Sequence, residues 1–348
     1  MTDADKGARG GSLRRLFRIS LWLIPLGVLG NLAFSLAATD PRVWGSLGHF
    51  PKRYLLLAAL LAFTPWLTNT LRLLLWTRFL GTDLSLADSF RITLATQLGS
   101  AVTPTATGGE VIRMGLLVER GVSPGVAFSI TTLASLEDGL FFLLSLPAAL
   151  LVLSSTRLPP LPGLGAAGGG VLRALLIGGA SLLALWLLWR LVVLGRLGER
   201  PRVVGLRWTA ATRRRIRVGW TETRQAWRLI VRRGKLLFAL TFMLAAVQWS
   251  ARYSVITALA AFLGAPVDPF LFFALQWLVF TLMSFVPTPG AAGGAEAAFY
   301  LVFSGVLPAE IIGIATAGWR FLTFYLQLAL GALLFAGLTA RASARAGG

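Results

Sequence analysis

Cysteine is missing from all 348 residues, and histidine occurs once, at His49. Disulfides, thiolate nucleophiles and zinc sites built on Cys or His pairs are thereby excluded. Charge is scarce as well: residues of either sign make up only 14% of the chain, and acids number 14 against 33 Lys and Arg. Soluble domains carry about a quarter charged residues. With 56% hydrophobic residues and a mean hydropathy of +0.73, the chain reads as an all-α integral membrane protein.

The net charge of +19 is not spread as a nucleic-acid-binding surface would be. Thirteen Lys and Arg fall between Arg196 and Lys235, against Glu199 and Glu222, and five more (Lys6, Arg9, Arg14, Arg15, Arg18) lie before or at the start of the first apolar run. Positive charge clustered just outside membrane spans marks cytoplasmic loops. Runs long enough for a ~30 Å hydrocarbon core, about 20 helical residues, lie near 16–38, 54–78, 124–153, 171–195, 236–263 and 309–338. The first has basic-then-apolar flanks and a small-residue site at Ser35-Leu36-Ala37, but its length favours an uncleaved helix over a signal core. With both termini cytoplasmic, the outward stretches 39–53, 154–170 and 264–308 carry three, one and no Lys or Arg, so span count and charge bias agree. Residues 157–170 form a Pro/Gly linker. Residues 196–235 interleave Arg with Trp208, Ile216, Trp220, Trp227, Leu229 and Ile230. They read either as an amphipathic helix on anionic lipid or as a solvated loop that fixes topology.

Two apolar stretches, about 86–120 and 269–304, are each broken by Pro and Gly. The first break is Pro104-Thr105-Ala106-Thr107-Gly108-Gly109-Glu110. The second runs from Pro287 through Pro289, Gly290, Gly293 and Gly294 to Glu296. At an offset of 183, Trp66 matches Trp249, Phe79-Leu80-Gly81 matches Phe262-Leu263-Gly264, and Pro104-Thr105 matches Pro287-Thr288. A repeat with broken hydrophobic segments in corresponding positions is the pattern of a transporter core. Irregular backbone at membrane depth is tolerated only inside protein or beside a wet cavity. Each broken stretch is therefore expected to be a re-entrant helical hairpin. The units 54–153 and 236–338 are expected to be inverted repeats within one membrane domain, with about six full spans in all.

Ionisable groups inside spans are costly and need a partner or a purpose. They are Arg72, Glu110, Arg113, Glu137, Asp138, Arg252, Glu296 and Arg320. Glu110 and Arg113, three apart on one helical face, are placed to pair locally. Thr107-x-x-Glu110 is a capping box, whereas Glu296 has no Ser or Thr three residues before it, which weakens a capping role there. Glycine pairs at a helix start permit close packing and also present backbone N–H groups to an anion. Guanidinium groups grip phosphate in a bidentate fork, so Arg113, Arg252 and Arg320 with the two hairpin N-termini suit a phosphate-bearing headgroup. Internal pairing with Glu110, Glu137, Asp138 and Glu296 is the competing role. At the repeat offset Glu137 corresponds to Arg320, a charge reversal between the halves. The twelve Trp residues are read as anchors or packing and given no site.

The pattern Pro104-Thr105-x-x-Gly108-Gly109-Glu110-x-x-Arg113, then Leu136-Glu137-Asp138, then Pro287-x-Pro289-Gly290-x-x-Gly293-x-x-Glu296 and Arg320, resembles the flippase-like transmembrane region of lysylphosphatidylglycerol synthases. It is also similar to stand-alone inner-membrane proteins sharing that region, and the likeness covers roughly 50–340. It implies translocation of an anionic, aminoacylated or polyprenyl-linked lipid between leaflets of the cell membrane. Asp138 stands where an Arg commonly follows the Glu, and Thr105-Ala106-Thr107 replaces a more basic stretch. The synthases carry an aminoacyl-transferase domain after this region. Here the chain stops soon after the last span, so lipid aminoacylation is not expected.

The expected site is thus Glu110, Arg113, Glu137, Arg252, Glu296 and Arg320, with no catalytic residue, metal or cofactor. The expected partners are membrane lipids, and a homo-oligomer or an envelope-biosynthesis protein is a further candidate. No GxxxxGK[ST] nucleotide motif is present, so a gradient, a metabolic sink or a partner must supply any energy. The alternatives are a scaffold or regulatory subunit of an envelope enzyme, and an intramembrane enzyme acting on lipid phosphate. The latter usually needs a metal-carboxylate cluster or a His base.

Overall fold

The computed structural model describes residues 39–46, 50–103, 108–155 and 210–346, with single positions at 29, 30, 33 and 37. Nearly all of the expected span 16–38, the linker 157–170, the span 171–195, the stretch 196–209, His49 and residues 104–107 lie outside the described residues. Every regular element among the described residues is helical. In chain order these are α1 (Pro41–Ser46), α2 (Lys52–Phe79), α3 (Leu86–Val102), α4 (Gly108–Glu119), α5 (Pro124–Ser155), α6 (Ala210–Arg233) and α7 (Lys235–Phe262). Next come α8 (Pro269–Ser284), a short 3₁₀ turn (Pro289–Ala291), α9 (Gly294–Phe303) and α10 (Ile312–Arg320). A π turn (Phe321–Tyr325) then leads into α11 (Leu326–Ala346).

Among the described residues, four helical stretches are long and apolar enough to cross a membrane: Lys52–Phe79, Pro124–Val152, Lys235–Phe262 and Ile312–Phe335. Their outer surfaces expose large apolar side chains, among them Leu56, Leu60, Leu67, Leu151, Leu236, Met243 and Leu333. Such a belt is what lipid solvates and water does not. The chain is therefore a polytopic helical membrane protein. Pro65 inside α2 and Pro147 inside α5 are accommodated, as in membrane helices whose neighbours satisfy freed backbone groups. Beside Pro65, the Gln327 side chain donates to the Ala62 carbonyl.

The remaining apolar helices are shorter. At 1.5 Å per residue, α3, α4, α8 and α9 run to about 26, 18, 24 and 15 Å, all below the ~30 Å hydrocarbon thickness. α3 packs on α4, and α8 on α9. At the α3–α4 contact a Cβ on Gly109 would meet Ser100 and the Thr96 carbonyl, so the second glycine of the pair is where the arms touch.

The 183-residue repeat extends to the helix boundaries. α2 and α7 begin at 52 and 235, and α3 and α8 at 86 and 269. Ser85 caps α3 by accepting the Asp88 N–H at 3.0 Å, and Asp268 caps α8 by accepting the Phe270 N–H at 3.0 Å. The repeated Phe-Leu-Gly triplet is a twin helix stop. Gly81 and Gly264 both have positive φ (78° and 76°). The amides just beyond them reach back, Thr82 N to Thr77 O at 2.9 Å and Ala265 N to Ala260 O at 3.0 Å. These are matching Schellman closures.

α2 and α7 form the central pair. The larger apolar core gathers Tyr253, Phe272, Phe299, Phe303 and Trp319. A second cluster joins Leu73, Trp76, Ile92, Leu117, Ile130 and Leu133 to Ile230 of α6. The expected amphipathic helix is present as α6. Its inner residues Thr223, Ala226 and Ile230 are buried, and Arg214, Arg217, Arg228, Arg232 and Arg233 are exposed. Glu222 and Thr223 bond the backbone of Gly125 at the start of α5.

Candidate functional site

A cavity of about 530 Å³ opens between the two repeated halves. Its wall takes Trp66 and Asn69 from α2, Ser100 from α3, Glu110 and Arg113 from α4, and Ser135 and Asp138 from α5. The second half adds Trp249 and Arg252 from α7, Phe280 from α8, the Thr288–Gly290–Ala291 turn, and Arg320 with Phe324. The volume falls in the ~300–1,000 Å³ range of small-ligand sites.

Arg320 ends α10 and is 2% exposed. Its Nε donates to Glu296 Oε1 at 3.0 Å, its Nη2 donates to the Gly290 carbonyl, and its guanidinium lies 4.1 Å from the Phe324 ring centre. Tyr325 O–H also donates to Glu296 Oε1, at 3.1 Å. The second breakpoint is thus tied to the last span by one side chain. Gly290 makes the tie possible: its φ is +59°, and a Cβ would run into the Phe324 ring. The π turn begins at the residue after Arg320, a placement typical of functional sites.

Glu296 does cap its helix, contrary to the expectation from sequence. Its Oε2 accepts the Gly293 N–H at 2.9 Å. A carboxylate at the third helical position needs only the backbone donor before it, so the missing Ser or Thr removes half of the capping box and leaves this half intact. At the start of α4, Thr103 Oγ1 accepts the Gly108 N–H at 3.1 Å. One amide of each glycine pair, that of Gly108 and that of Gly293, is thus taken by a side chain of the protein.

Glu137 is fully buried and lies behind the wall, not on it. Its carboxylate accepts from Arg72 Nε at 2.8 Å, Trp76 Nε1 at 3.0 Å and the Thr241 hydroxyl. Arg72 also donates to Asp138 Oδ1 at 2.9 Å, Gln248 Oε1 at 3.2 Å and the Ala134 carbonyl at 2.9 Å. Asp138, the neighbour of Glu137, is the carboxylate that faces the cavity, with its side chain 28% exposed. Glu110 accepts a hydrogen bond from the Ser135 hydroxyl, and the local Glu110–Arg113 pair does not form.

Two guanidiniums on the wall, Arg113 and Arg252, pair with no carboxylate among the described residues, and the Nε of each is buried without a hydrogen-bond partner. Arg252 lies against Phe280 and Trp249, 5.1 and 5.8 Å from the ring centres. The indole N–H groups of Trp66 and Trp249, two residues that mark the repeat, are also buried and unpartnered. An unsatisfied buried donor costs about 1–3 kcal/mol, more when charged. All four donors belong to residues that line the hollow.

Of the six expected residues, Glu110, Arg113, Arg252 and Arg320 share the cavity wall, Glu296 holds Arg320 from behind, and Glu137 holds Arg72. Among the breakpoint residues, Gly290 reaches the wall, Pro289 opens the 3₁₀ turn and Gly294 opens α9. Pro287 and Gly293 lie in the connections, Gly108 and Gly109 begin α4, and Pro104 is outside the described residues. At the repeat offset Arg113 corresponds to Glu296, a second charge reversal beside Glu137/Arg320. The repeat could also have nominated Trp66 and Trp249 as cavity residues.

Outside the spans, Asp88 joins the feet of α3 and α4 by bonding Arg120 and Arg91, the latter at 3.4 Å. Partial burial pushes the Asp88 carboxyl up, but the hydrogen bonds from Arg120 and Ser85 and the two guanidiniums outweigh it and hold the group below its ordinary value.

Residues 19–331 match the family described as the lysylphosphatidylglycerol synthase TM region. A UPF0104 membrane protein of Archaeoglobus fulgidus is 26% identical over 290 residues, which covers 80% of this chain and 84% of that one.

Proposed function

The chain belongs to the lysylphosphatidylglycerol synthase transmembrane-region family, and from that premise we propose that it carries a lipid headgroup between membrane leaflets. α3–α4 and α8–α9 act as re-entrant hairpins entering from opposite faces, the first from the cytoplasm, and the two halves are inverted repeats. The headgroup passes through the charged cavity while its acyl chains stay in lipid, and the exposed apolar belt of the spans accommodates them. The termini and α6 are cytoplasmic, and the exposed arginines of α6 rest on anionic lipid of that leaflet.

The observation that carries this reading is the pair of unpaired guanidiniums, Arg113 and Arg252, on one cavity wall. Charge left unpaired at membrane depth is expensive, and a phosphate is the membrane component that satisfies a guanidinium fork. Arg320 is already committed to Glu296 and Gly290, so it serves mainly to hold the second hairpin.

The test is leaflet exchange of a tail-labelled phospholipid by purified protein in vesicles, read by back-extraction. Exchange well above that of protein-free vesicles is expected for the native chain. Arg113→Gln with Arg252→Gln should bring it to background without loss of the folded protein. Exchange at the native rate in that variant refutes the site. A native chain that is inactive alone but recovered with a stoichiometric partner favours the scaffold role.

A further inference from the structure

Among the described residues, the charged groups around the cavity sort by half of the molecule. The first half supplies Arg72, Glu110, Arg113, Glu137 and Asp138, three carboxylates against two guanidiniums. The second supplies Arg252, Glu296 and Arg320, two guanidiniums against one carboxylate. One side of the hollow is therefore a single charge negative, and the other a single charge positive.

The contacts locate each surplus. In the second half Glu296 neutralises Arg320, which leaves Arg252 beside the rings of Trp249 and Phe280. Aromatic faces confine a guanidinium and attract it weakly, but they carry no countercharge. In the first half Arg72 is shared by Glu137 and Asp138, so the two acids have one cation between them. Glu110 has a neutral hydroxyl as its hydrogen-bond partner. Arg113 lines the same wall without an ion pair and counts as one positive charge there, so the net surplus on that side is one negative charge.

We infer that the headgroup this cavity admits is zwitterionic, with a phosphate monoanion received by Arg252 and one primary ammonium received by Asp138 and Glu110. This rests on the lipid-transport reading and names its substrate class. The ammonium offers three N–H donors to acceptor-only carboxylates, and the phosphate offers acceptor oxygens to a donor-only guanidinium. A phosphate headgroup without an amine leaves the acidic side unmatched. A headgroup with two ammonium groups brings one cation more than that side can take.

The test compares three short-chain phospholipids on the purified full chain in detergent, with binding read by native mass spectrometry. They are a phosphatidylethanolamine, its N-acetyl derivative and a phosphatidylglycerol. Phosphatidylethanolamine is expected to bind at least tenfold more tightly than the other two. Glu110→Gln, which leaves the Arg72 cluster untouched, should narrow the gap between the first two lipids, whereas Arg252→Gln should weaken all three. Equal affinity for all three overturns the inference, as does a Glu110→Gln gap equal to the native one. The same headgroups with labelled tails are then followed in vesicle exchange. Headgroup-blind exchange keeps the transport reading and removes the zwitterion assignment; selective binding without exchange does the reverse.

Discussion

Replacing Glu137 by Gln tests whether this carboxylate is structural or part of the site. The change keeps the side-chain volume but removes a charge that accepts from Arg72, Trp76 and Thr241 in a place with no solvent access. One half of the new amide is a donor and must face one of those three donors. Breaking a buried ion pair from one side costs about 3–5 kcal/mol. Arg72 keeps Asp138, Gln248 and the Ala134 carbonyl, so the lower end applies, roughly 3 kcal/mol or a hundredfold in the folding equilibrium. Asp138→Asn should cost less, because Asp138 is partly exposed and Arg72 retains Glu137. Unfolding of the detergent-solubilised protein, followed by intrinsic fluorescence, measures both. Arg72→Met combined with Glu137→Leu should recover much of the loss, since a buried pair replaced by apolar groups of similar size is often close to neutral. The folded fraction of Glu137→Gln should still exchange lipid within a fewfold of the native rate. A cost below about 1 kcal/mol, or abolished exchange in a fully stable variant, refutes the assignment of Glu137 to the scaffold.

Gly290→Ala should lower lipid exchange about tenfold, on the order of the 1–3 kcal/mol that a strained backbone position costs, because the new Cβ meets Phe324 and loosens the Arg320 contact. Adding Phe324→Ala should restore part of that activity in the same vesicle assay. The absence of native cysteine gives a clean background for single-cysteine labelling: Asp83→Cys and Val267→Cys should react with impermeant reagents from opposite faces, the first from the cytoplasm. Reaction from one face only contradicts the inverted arrangement. Asp88 is held below its ordinary value of 3.8 when folded, so its contribution is present above that pH and is lost as pH falls through the lower folded value. Asp88→Asn should therefore flatten the acid dependence of hairpin protection, measured by hydrogen exchange below about pH 4, and an unchanged profile refutes this.

What could be read from the sequence was local chemistry repeated at a fixed offset. The Phe-Leu-Gly triplets became helix stops because a glycine of positive φ lets the next amide reach back five residues, a rule confined to one turn. The breakpoints became boundaries of short helices because Pro and Gly interrupt helical backbone, again a local rule. Which guanidinium meets which carboxylate could not be read, since Arg72 and Glu137 stand 65 residues apart and only the packing of α2 on α5 joins them. Glu137 and Asp138 are adjacent, yet a helix turns one toward Trp76 and the other toward the cavity. The capping role of Glu296 escaped a reading keyed to Ser or Thr because its partner is a backbone amide. Trp249 escaped because interfacial Trp is so common in membrane proteins.

The central claim, that a lipid headgroup occupies the hollow between the halves, is tested most directly by photocrosslinking. A phospholipid carrying a diazirine on its headgroup is incorporated with the protein, irradiated, and the labelled peptides are mapped by mass spectrometry. The account predicts adducts at cavity residues such as Ser100, Ser135, Trp249 and Phe280, and their loss in Arg252→Gln. Adducts confined to the outer belt, at residues such as Leu56, Leu60 and Leu236, would contradict it.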